Sequence, residues 1–236
     1  MTKHTLLIND WFSSFLALLF PRCCLVCGRP LAKGEECICT MCNINLPRTN
    51  YHLREDNPVE QLFWGKIPLE RATSFFFYRK GSDFRQILHQ LKYGGQKELG
   101  VIMGRYMASE FLPSGFFKGI DLIIPVPLHK KKQQLRGYNQ SEWIARGIVA
   151  VTGIPMNTES IIRKKNTETQ TRKSTFERWE NVDGIFELHS FECFQGKHVL
   201  IVDDVLTTGA TTVACASALM KVQGIRISIL TLAVAE

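Results

Sequence analysis

The sequence lacks an apolar run that could cross a membrane as a helix, which needs about 20 residues. The apolar run from Trp11 to Phe20 stops at Pro21 and has no small-residue cleavage site of the kind that ends an export signal. Its apolar side chains recur at helical spacing. We therefore expect residues 1–21 to form an amphipathic helix docked on the protein body, with transient membrane contact as the alternative. We also expect a cytoplasmic protein without a stable membrane span.

Internal repeats, low-complexity tracts and a G-x-x-x-x-G-K-[ST] motif are also missing, which argues against a repeat architecture and a P-loop nucleotide site. The 236 residues are 45% hydrophobic and 22% charged, which predicts a packed core in one large domain or a medium domain with a small appendage. The formal net charge of +7 is compatible with a polyanionic ligand or nucleic acid, without selecting either.

Cysteine is abundant in one segment: six of the eight cysteines lie between Cys23 and Cys42. Two C-x₂-C pairs there are separated by 11 residues, which is typical of four thiolates around a structural zinc ion. A reducing cytoplasm disfavours disulfides, the main alternative. We predict a zinc-binding segment at residues 22–47. The predicted ligands are Cys24, Cys27, Cys39 and Cys42, with Cys23 and Cys37 as alternatives.

Strand and helix patterns alternate over residues 70–236, after a polar stretch at residues 48–60 that has the composition of a linker. Strands are predicted at 74–78, 121–127, 156–162, 198–202 and 226–234, and helices at 83–92, 99–112, from Asn139 or Ser141 through Ile148, and at 212–221. This alternation predicts an α/β domain, with a mostly parallel sheet flanked by helices.

The stretch HVLIVDDVLTTGATT, residues 198–212, combines an apolar strand, two aspartates and a threonine- and glycine-rich loop before a helix. Ligands of α/β sheets bind beyond the carboxyl ends of the strands, and a helix N-terminus favours a phosphate. Asp203 and Asp204 would repel that phosphate unless they address sugar hydroxyls of the same ligand, together with a Mg²⁺ ion. The stretch therefore predicts a sugar-phosphate site; a strand with a threonine-rich cap is the alternative.

Residues 199–212 resemble the signature of type I phosphoribosyltransferases, which bind phosphoribosyl pyrophosphate (PRPP) together with Mg²⁺. The resemblance implies that the two aspartates contact the ribose hydroxyls and that residues 207–212 hold the 5′-phosphate. The implied PRPP-binding residues are Asp203, Asp204, Val205, Leu206, Thr207, Thr208, Gly209, Ala210, Thr211 and Thr212.

Three further motifs resemble the ComF family, also called the ComFC or GntX-like group. They are LKYGG at Leu91–Gly95, PVPLH followed by RGYNQSE at Pro125–Glu142, and the later pattern of Gln170, Arg178, Asn181 and Phe186. Family members join an N-terminal zinc-binding segment to a phosphoribosyltransferase-like domain. The resemblance extends over nearly all of residues 22–236.

Two basic segments are candidates for the pyrophosphate group of PRPP. Lys130, Lys131 and Arg136 belong to a predicted loop after a strand, and charge-assisted hydrogen bonds from such groups offset phosphate charge. Residues 163–181 are long and polar enough for a hood over the site, with Gln170 and Arg178 among the candidates. A solvated charged loop is the alternative reading of both segments.

Three functions remain open from the sequence. The family resemblance implies a PRPP-binding protein that acts in competence, natural transformation and the handling of imported single-stranded DNA. An active phosphoribosyltransferase of nucleotide salvage or metabolism, with an unknown acceptor, is the alternative. A zinc-stabilised scaffold that docks DNA-uptake helicase or recombination proteins is the third. No residue pattern identifies a catalytic group.

Overall fold

The computed structural model describes residues 21–164 and 184–236. The chain divides into two compact units, Met1–Leu46 and Pro47–Glu236. The predicted helix at residues 1–21 lies outside the described part, apart from its last residue. Among the helices of the described ranges, none has both the length and the apolar composition needed to cross a bilayer.

The first unit is organised around its two cysteine pairs. A single bridge joins Cys23 to Pro30, and a short helix, α1 (Thr40–Ile44), begins directly after Cys39. The Glu35 carboxylate accepts hydrogen bonds from the backbone N–H groups of Ala32 and Thr40, at 2.8 and 2.6 Å. These hydrogen bonds stabilise the chain reversal between the two cysteine pairs, which brings the two pairs close together.

The second unit contains a four-stranded sheet in the order β1-β6-β5-β2, and every pairing is parallel. The strands are β1 (Arg71–Tyr78), β2 (Leu122–Pro125), β5 (His198–Leu206) and β6 (Arg226–Ala235). β1 has five consecutive buried residues and β6 has eight. Such runs are buried on both faces, as expected of a parallel sheet covered by helices. The predicted fold class is confirmed.

The longer helices beside this sheet in the described residues are α3 (Arg85–Tyr93), α4 (Lys97–Phe111), α5 (Lys130–Arg136), α6 (Gln140–Thr152) and α7 (Ala210–Leu219). α4 and α6 cross at two glycines. A Cβ built on Gly104 would lie 2.1 Å from the carbonyl oxygen of Ile144, and one on Gly147 would lie 2.1 Å from that of Val101. The two helix backbones therefore touch, which positions the N-terminus of α6 beside the sheet.

A separate hairpin pairs β3 (Ile161–Arg163) with β4 (Phe186–Leu188) in antiparallel register. The sequence predicts a strand at residues 156–162, and the structure divides that region. Met156 makes a parallel bridge to Ile123 beside β2, whereas the strand proper begins at Ile161. The hairpin flanks residues 165–183, which contain the hood candidates Gln170 and Arg178 and lie outside the described residues.

The polar stretch at residues 48–60 is packed on the sheet rather than forming the predicted linker. It contains a 3₁₀ turn (Tyr51–Leu53) and α2 (Pro58–Gln61), whose first turn is closed by a capping box of Asn57 and Glu60. The amide of Asn57 also donates to the Ala72 carbonyl of β1 at 2.9 Å. Polar side chains here satisfy backbone groups at the sheet edge, so composition alone gave a wrong interpretation.

Candidate functional site

The two aspartates lie within β5, which runs on to Leu206 rather than ending at Val202 as the sequence predicts. Successive side chains of a strand point to opposite faces, so the two carboxylates meet different helices. Asp203 contacts Ser141 in the first turn of α6, and Asp204 contacts Lys92 in the last turn of α3. Both contacts lie at the carboxyl end of the parallel sheet, where α/β proteins bind ligands.

Asp203 is held by two hydrogen bonds to one carboxylate oxygen. The Ser141 hydroxyl and the Asp204 backbone N–H each donate to Oδ1 at 2.8 Å. Burial and the neighbouring charge of Asp204 raise the pKa of Asp203 to about 7, although these hydrogen bonds and the charge of Lys92 act in the opposite direction. Asp203 therefore holds its proton more tightly than an ordinary aspartate does.

Asp204 is 8% exposed and forms an ion pair with Lys92. The Nζ atom of Lys92 lies 3.2 Å from Oδ2 of Asp204, and both side chains are largely covered. A buried carboxylate without a positive partner is energetically costly, and the Lys92 ammonium group compensates the negative charge of Asp204. Lys92 belongs to the LKYGG motif, which gives that motif a physical role.

The threonine-rich loop leads directly into α7, as the sequence predicts. Gly209 is the N-cap residue of α7 with φ 79°, and it makes no side-chain hydrogen bond to the first turn. This positive φ favours glycine, and a Cβ on Gly209 would also lie 3.2 Å from the Phe63 ring, which would have to shift slightly. Thr207 is exposed, whereas Thr208 and Thr211 are half-buried. The loop thus presents backbone N–H groups and hydroxyls, which suit an anion.

The predicted basic loop is a helix, α5, which corrects the sequence interpretation. His129 caps it by accepting from the Lys131 backbone N–H at 3.2 Å, and Gly137 ends it with φ 80°. Both are local helix signals that the lysine run obscured. Lys130 and Lys131 are exposed, whereas Arg136 is half-buried and donates to Oε1 of Gln140 at 2.8 Å.

The motifs at residues 91–95 and 125–142 are in direct contact. The Tyr138 hydroxyl donates to the Leu91 carbonyl at 2.5 Å, and the Arg136 guanidinium lies 5.5 Å from the centre of the Tyr93 ring. The Asn139 amide donates to the Val126 carbonyl at 3.1 Å, which ties the start of α6 to the end of β2. Sequence reasoning identified both motifs but not the individual contributions of Lys92 and Ser141.

Arg163, at the end of β3, is half-buried and interacts electrostatically with Asp203. Its guanidinium lies 5.4 Å from the centre of the Phe186 ring. Burial lowers the pKa of Arg163, and the charge of Asp203 offsets part of that effect. The hairpin therefore contributes positive charge to the surroundings of Asp203.

The four predicted cysteines come together in the first unit. The Sγ atoms of Cys24, Cys27, Cys39 and Cys42 all lie within 4.8 Å of one another. Cys27 and Cys39 are 3.8 Å apart at sulfur, close to the edge of about 3.8 Å that a tetrahedron with Zn–S bonds of about 2.3 Å requires. None of the eight cysteines, all of which lie in the described ranges, forms a disulfide. This cluster could hold a metal ion such as zinc.

Part of the second unit matches a known domain family. Residues 141–235, from Ser141 through the loop to the last strand, match the phosphoribosyl transferase domain family. The second unit is thus a phosphoribosyltransferase-like domain, in agreement with its parallel sheet.

Three curated relatives then identify the family. DNA utilization protein YhgH of Escherichia coli O157:H7 is 30% identical over 219 residues, which cover 86% of this chain and 93% of the relative. Competence protein ComFC of Bacillus subtilis strain 168 is 24% identical over 218 residues, which cover 89% and 83%. Competence protein F of Haemophilus influenzae strain Rd is 38% identical over 92 residues, which cover 39% and 40%. The chain belongs to the ComF family.

Proposed function

We propose that this protein binds PRPP at the carboxyl end of β5 and acts in competence, in the handling of imported single-stranded DNA. One observation carries the binding proposal. Two adjacent carboxylates, each held by a different helix, lie directly before a glycine-capped loop at the start of α7. An anion-binding loop beside paired carboxylates suits a ligand that has both a phosphate and neighbouring hydroxyl groups.

The proposed roles follow from this arrangement. The loop at residues 205–212 holds the 5′-phosphate through backbone N–H groups and threonine hydroxyls, and Asp203 and Asp204 accept hydrogen bonds from the ribose hydroxyls. Arg136 and the exposed Lys130 and Lys131 supply positive charge for the pyrophosphate, with Mg²⁺ when bound as a further counter-charge. Gln170 and Arg178 stay proposed hood residues.

The role in DNA handling is supported by the names of the relatives, which refer to DNA utilization and competence. The net charge of +7 is compatible with a nucleic-acid partner. In this proposal the protein works in the cytoplasm, with DNA-uptake helicase or recombination proteins as candidate partners.

An active phosphoribosyltransferase of nucleotide salvage or metabolism is the second candidate, favoured by the family match over residues 141–235. In that reaction the bond between the ribose anomeric carbon and pyrophosphate breaks, the acceptor bonds to the same carbon, and the acceptor loses a proton. The raised pKa of Asp203, about 7, suits a group that exchanges protons near neutral pH.

In the first unit we propose that Cys24, Cys27, Cys39 and Cys42 bind a structural zinc ion as thiolates. Their spacing and close approach fit a four-sulfur site. When bound, zinc cross-links the two pairs in a segment that has little apolar side chain of its own to bury.

The PRPP proposal is tested by calorimetric titration with PRPP, with and without Mg²⁺. We expect binding by the wild-type chain and at least tenfold weaker binding by an Asp203→Asn/Asp204→Asn double variant, about 1.4 kcal/mol or more. Asp56→Asn/Glu159→Gln is the matched control, because it removes two exposed charges elsewhere. Equal PRPP affinity in the wild type and the aspartate variant, or no binding by the wild type, contradicts the proposal.

A further inference from the structure

A cleft with a volume of about 540 Å³ opens beside the loop at residues 205–212, between α3 and the end of β1. Its size is within the range of about 300–1,000 Å³ usual for small-molecule sites. Val205 and Thr207 form one side and belong to the proposed phosphate loop, so the cleft adjoins the proposed PRPP site. The other side is a face of α3, where Arg85, His89, Lys92 and Tyr93 recur at helical spacing.

The lining of this cleft is basic. Arg85, His89 and Lys92 contribute to it, and none of its lining residues in the described ranges is acidic. Lys92 is engaged by Asp204 at the inner end, whereas Arg85 and His89 are exposed one turn apart. These two side chains are placed to bind an anionic group at the outer end.

Tyr93 adds an aromatic surface at the rim. Its side chain is 68% exposed, although its ring packs 5.3 Å from the His89 ring and 5.5 Å from the Arg136 guanidinium. An exposed ring beside basic side chains is a stacking surface for a nucleotide base.

We propose that this cleft binds a nucleotide unit, with its phosphate against Arg85 and His89 and its base against Tyr93. The inference deepens the proposed function and rests on it, because the loop at residues 205–212 forms one side of both sites. A free nucleotide and one nucleotide of single-stranded DNA share this chemistry, and the experiment distinguishes them.

The test compares an Arg85→Gln/His89→Gln variant of the full chain with the wild type. Calorimetry measures the affinity for thymidine 5′-monophosphate, for a twelve-nucleotide oligothymidylate and, in parallel, for PRPP. Lys118→Gln/Lys221→Gln is the matched control, since both lysines are exposed and neither lines the cleft. We expect the cleft variant to lose about tenfold or more in affinity for one thymidine probe, while PRPP affinity stays within about threefold and the control behaves as wild type.

Failure of nucleotide binding in the cleft and failure of PRPP binding give different results in these measurements. If the cleft variant binds the mononucleotide more weakly than the wild type does, the ligand is a free nucleotide. If the cleft variant binds only the oligonucleotide more weakly, the ligand is single-stranded DNA. Wild-type affinity of the cleft variant for both probes overturns the inference, as does failure of the wild type to bind either probe. Cleft-dependent nucleotide binding in a protein that does not bind PRPP contradicts the proposed function and supports the cleft.

Discussion

Asp203 and Asp204 are neighbours in the chain, but their environments differ. Asp204 is balanced by the Lys92 ammonium at 3.2 Å, whereas Asp203 receives neutral donors from Ser141 and from the Asp204 backbone. Burial and the charge of Asp204 together raise the pKa of Asp203 to about 7. This arrangement disfavours the ionisation of both carboxylates when no ligand is bound. We therefore expect the ionisation of Asp203 to affect the free energy of unfolding as well as the binding of PRPP.

This arrangement predicts a pH-dependent effect of Asp203→Asn. The pKa of Asp203 lies at about 7 in the folded protein against an ordinary value of 3.8, so the folded state holds the proton more tightly than the unfolded chain. Its contribution to stability is fully present below pH ~4 and is lost as the pH rises to ~7. Asparagine does not ionise, so the variant should gain stability relative to wild type over this range, by at least ~1 kcal/mol at pH 8 compared with pH 4.

Urea denaturation of both proteins at several pH values between 4 and 8 measures this difference. Asp56→Asn is the control, because Asp56 is exposed and should show no such trend. A stability difference between Asp203→Asn and wild type that stays constant across the range would falsify the assignment.

At the level of elements, the site depends on helix packing far from the ligand edge. α6 presents Ser141 to Asp203 and is fixed against α4 by the contact of Gly104 with the backbone of Ile144 and Gly147. α5 and the turn at Gly137 precede α6, so the same contact also places Arg136 near Tyr93. The orientation of α6 therefore couples the core to the candidate site.

Gly104→Ala should destabilise the folded protein. The added methyl group would lie 2.1 Å from the Ile144 carbonyl oxygen, so one helix must shift. We expect a loss of about 2 kcal/mol or more in the free energy of unfolding. Ser109→Ala, at an exposed position of the same helix, should change it by less than ~0.5 kcal/mol. Urea denaturation measures both, and equal stability of the two variants contradicts the proposed packing constraint.

At the scale of the whole molecule, two units rest on different sources of stability. Residues 47–236 have an extensive apolar core around the parallel sheet. Residues 21–46 are short and contain the cysteine cluster. A segment of this size usually needs a metal or disulfides to stay folded, which makes its stability dependent on the proposed zinc ion.

A Cys24→Ser/Cys39→Ser variant should therefore lose about one zinc ion per chain. Hydrogen exchange should become fast in residues 21–46, while β5 at residues 198–206 stays protected. Cys23→Ser is the matched control, because Cys23 is exposed and outside the cluster, and it should retain zinc. Metal analysis and exchange mass spectrometry measure both effects; retention of zinc by the double variant would contradict the assigned ligands.

The sequence alone determined the parallel α/β class, most strands and helices, the threonine-rich loop and the cysteine cluster, because each is encoded by local periodicity or spacing. It misjudged α5 and the stretch at residues 48–60, where polar side chains cap helices and satisfy backbone groups instead of marking loops. Only the tertiary structure decided that Ser141 binds Asp203 and that Lys92 balances Asp204. The first pair is 62 residues apart in the chain, and contacts at such a distance arise from the packing of helices on the sheet rather than from any local pattern.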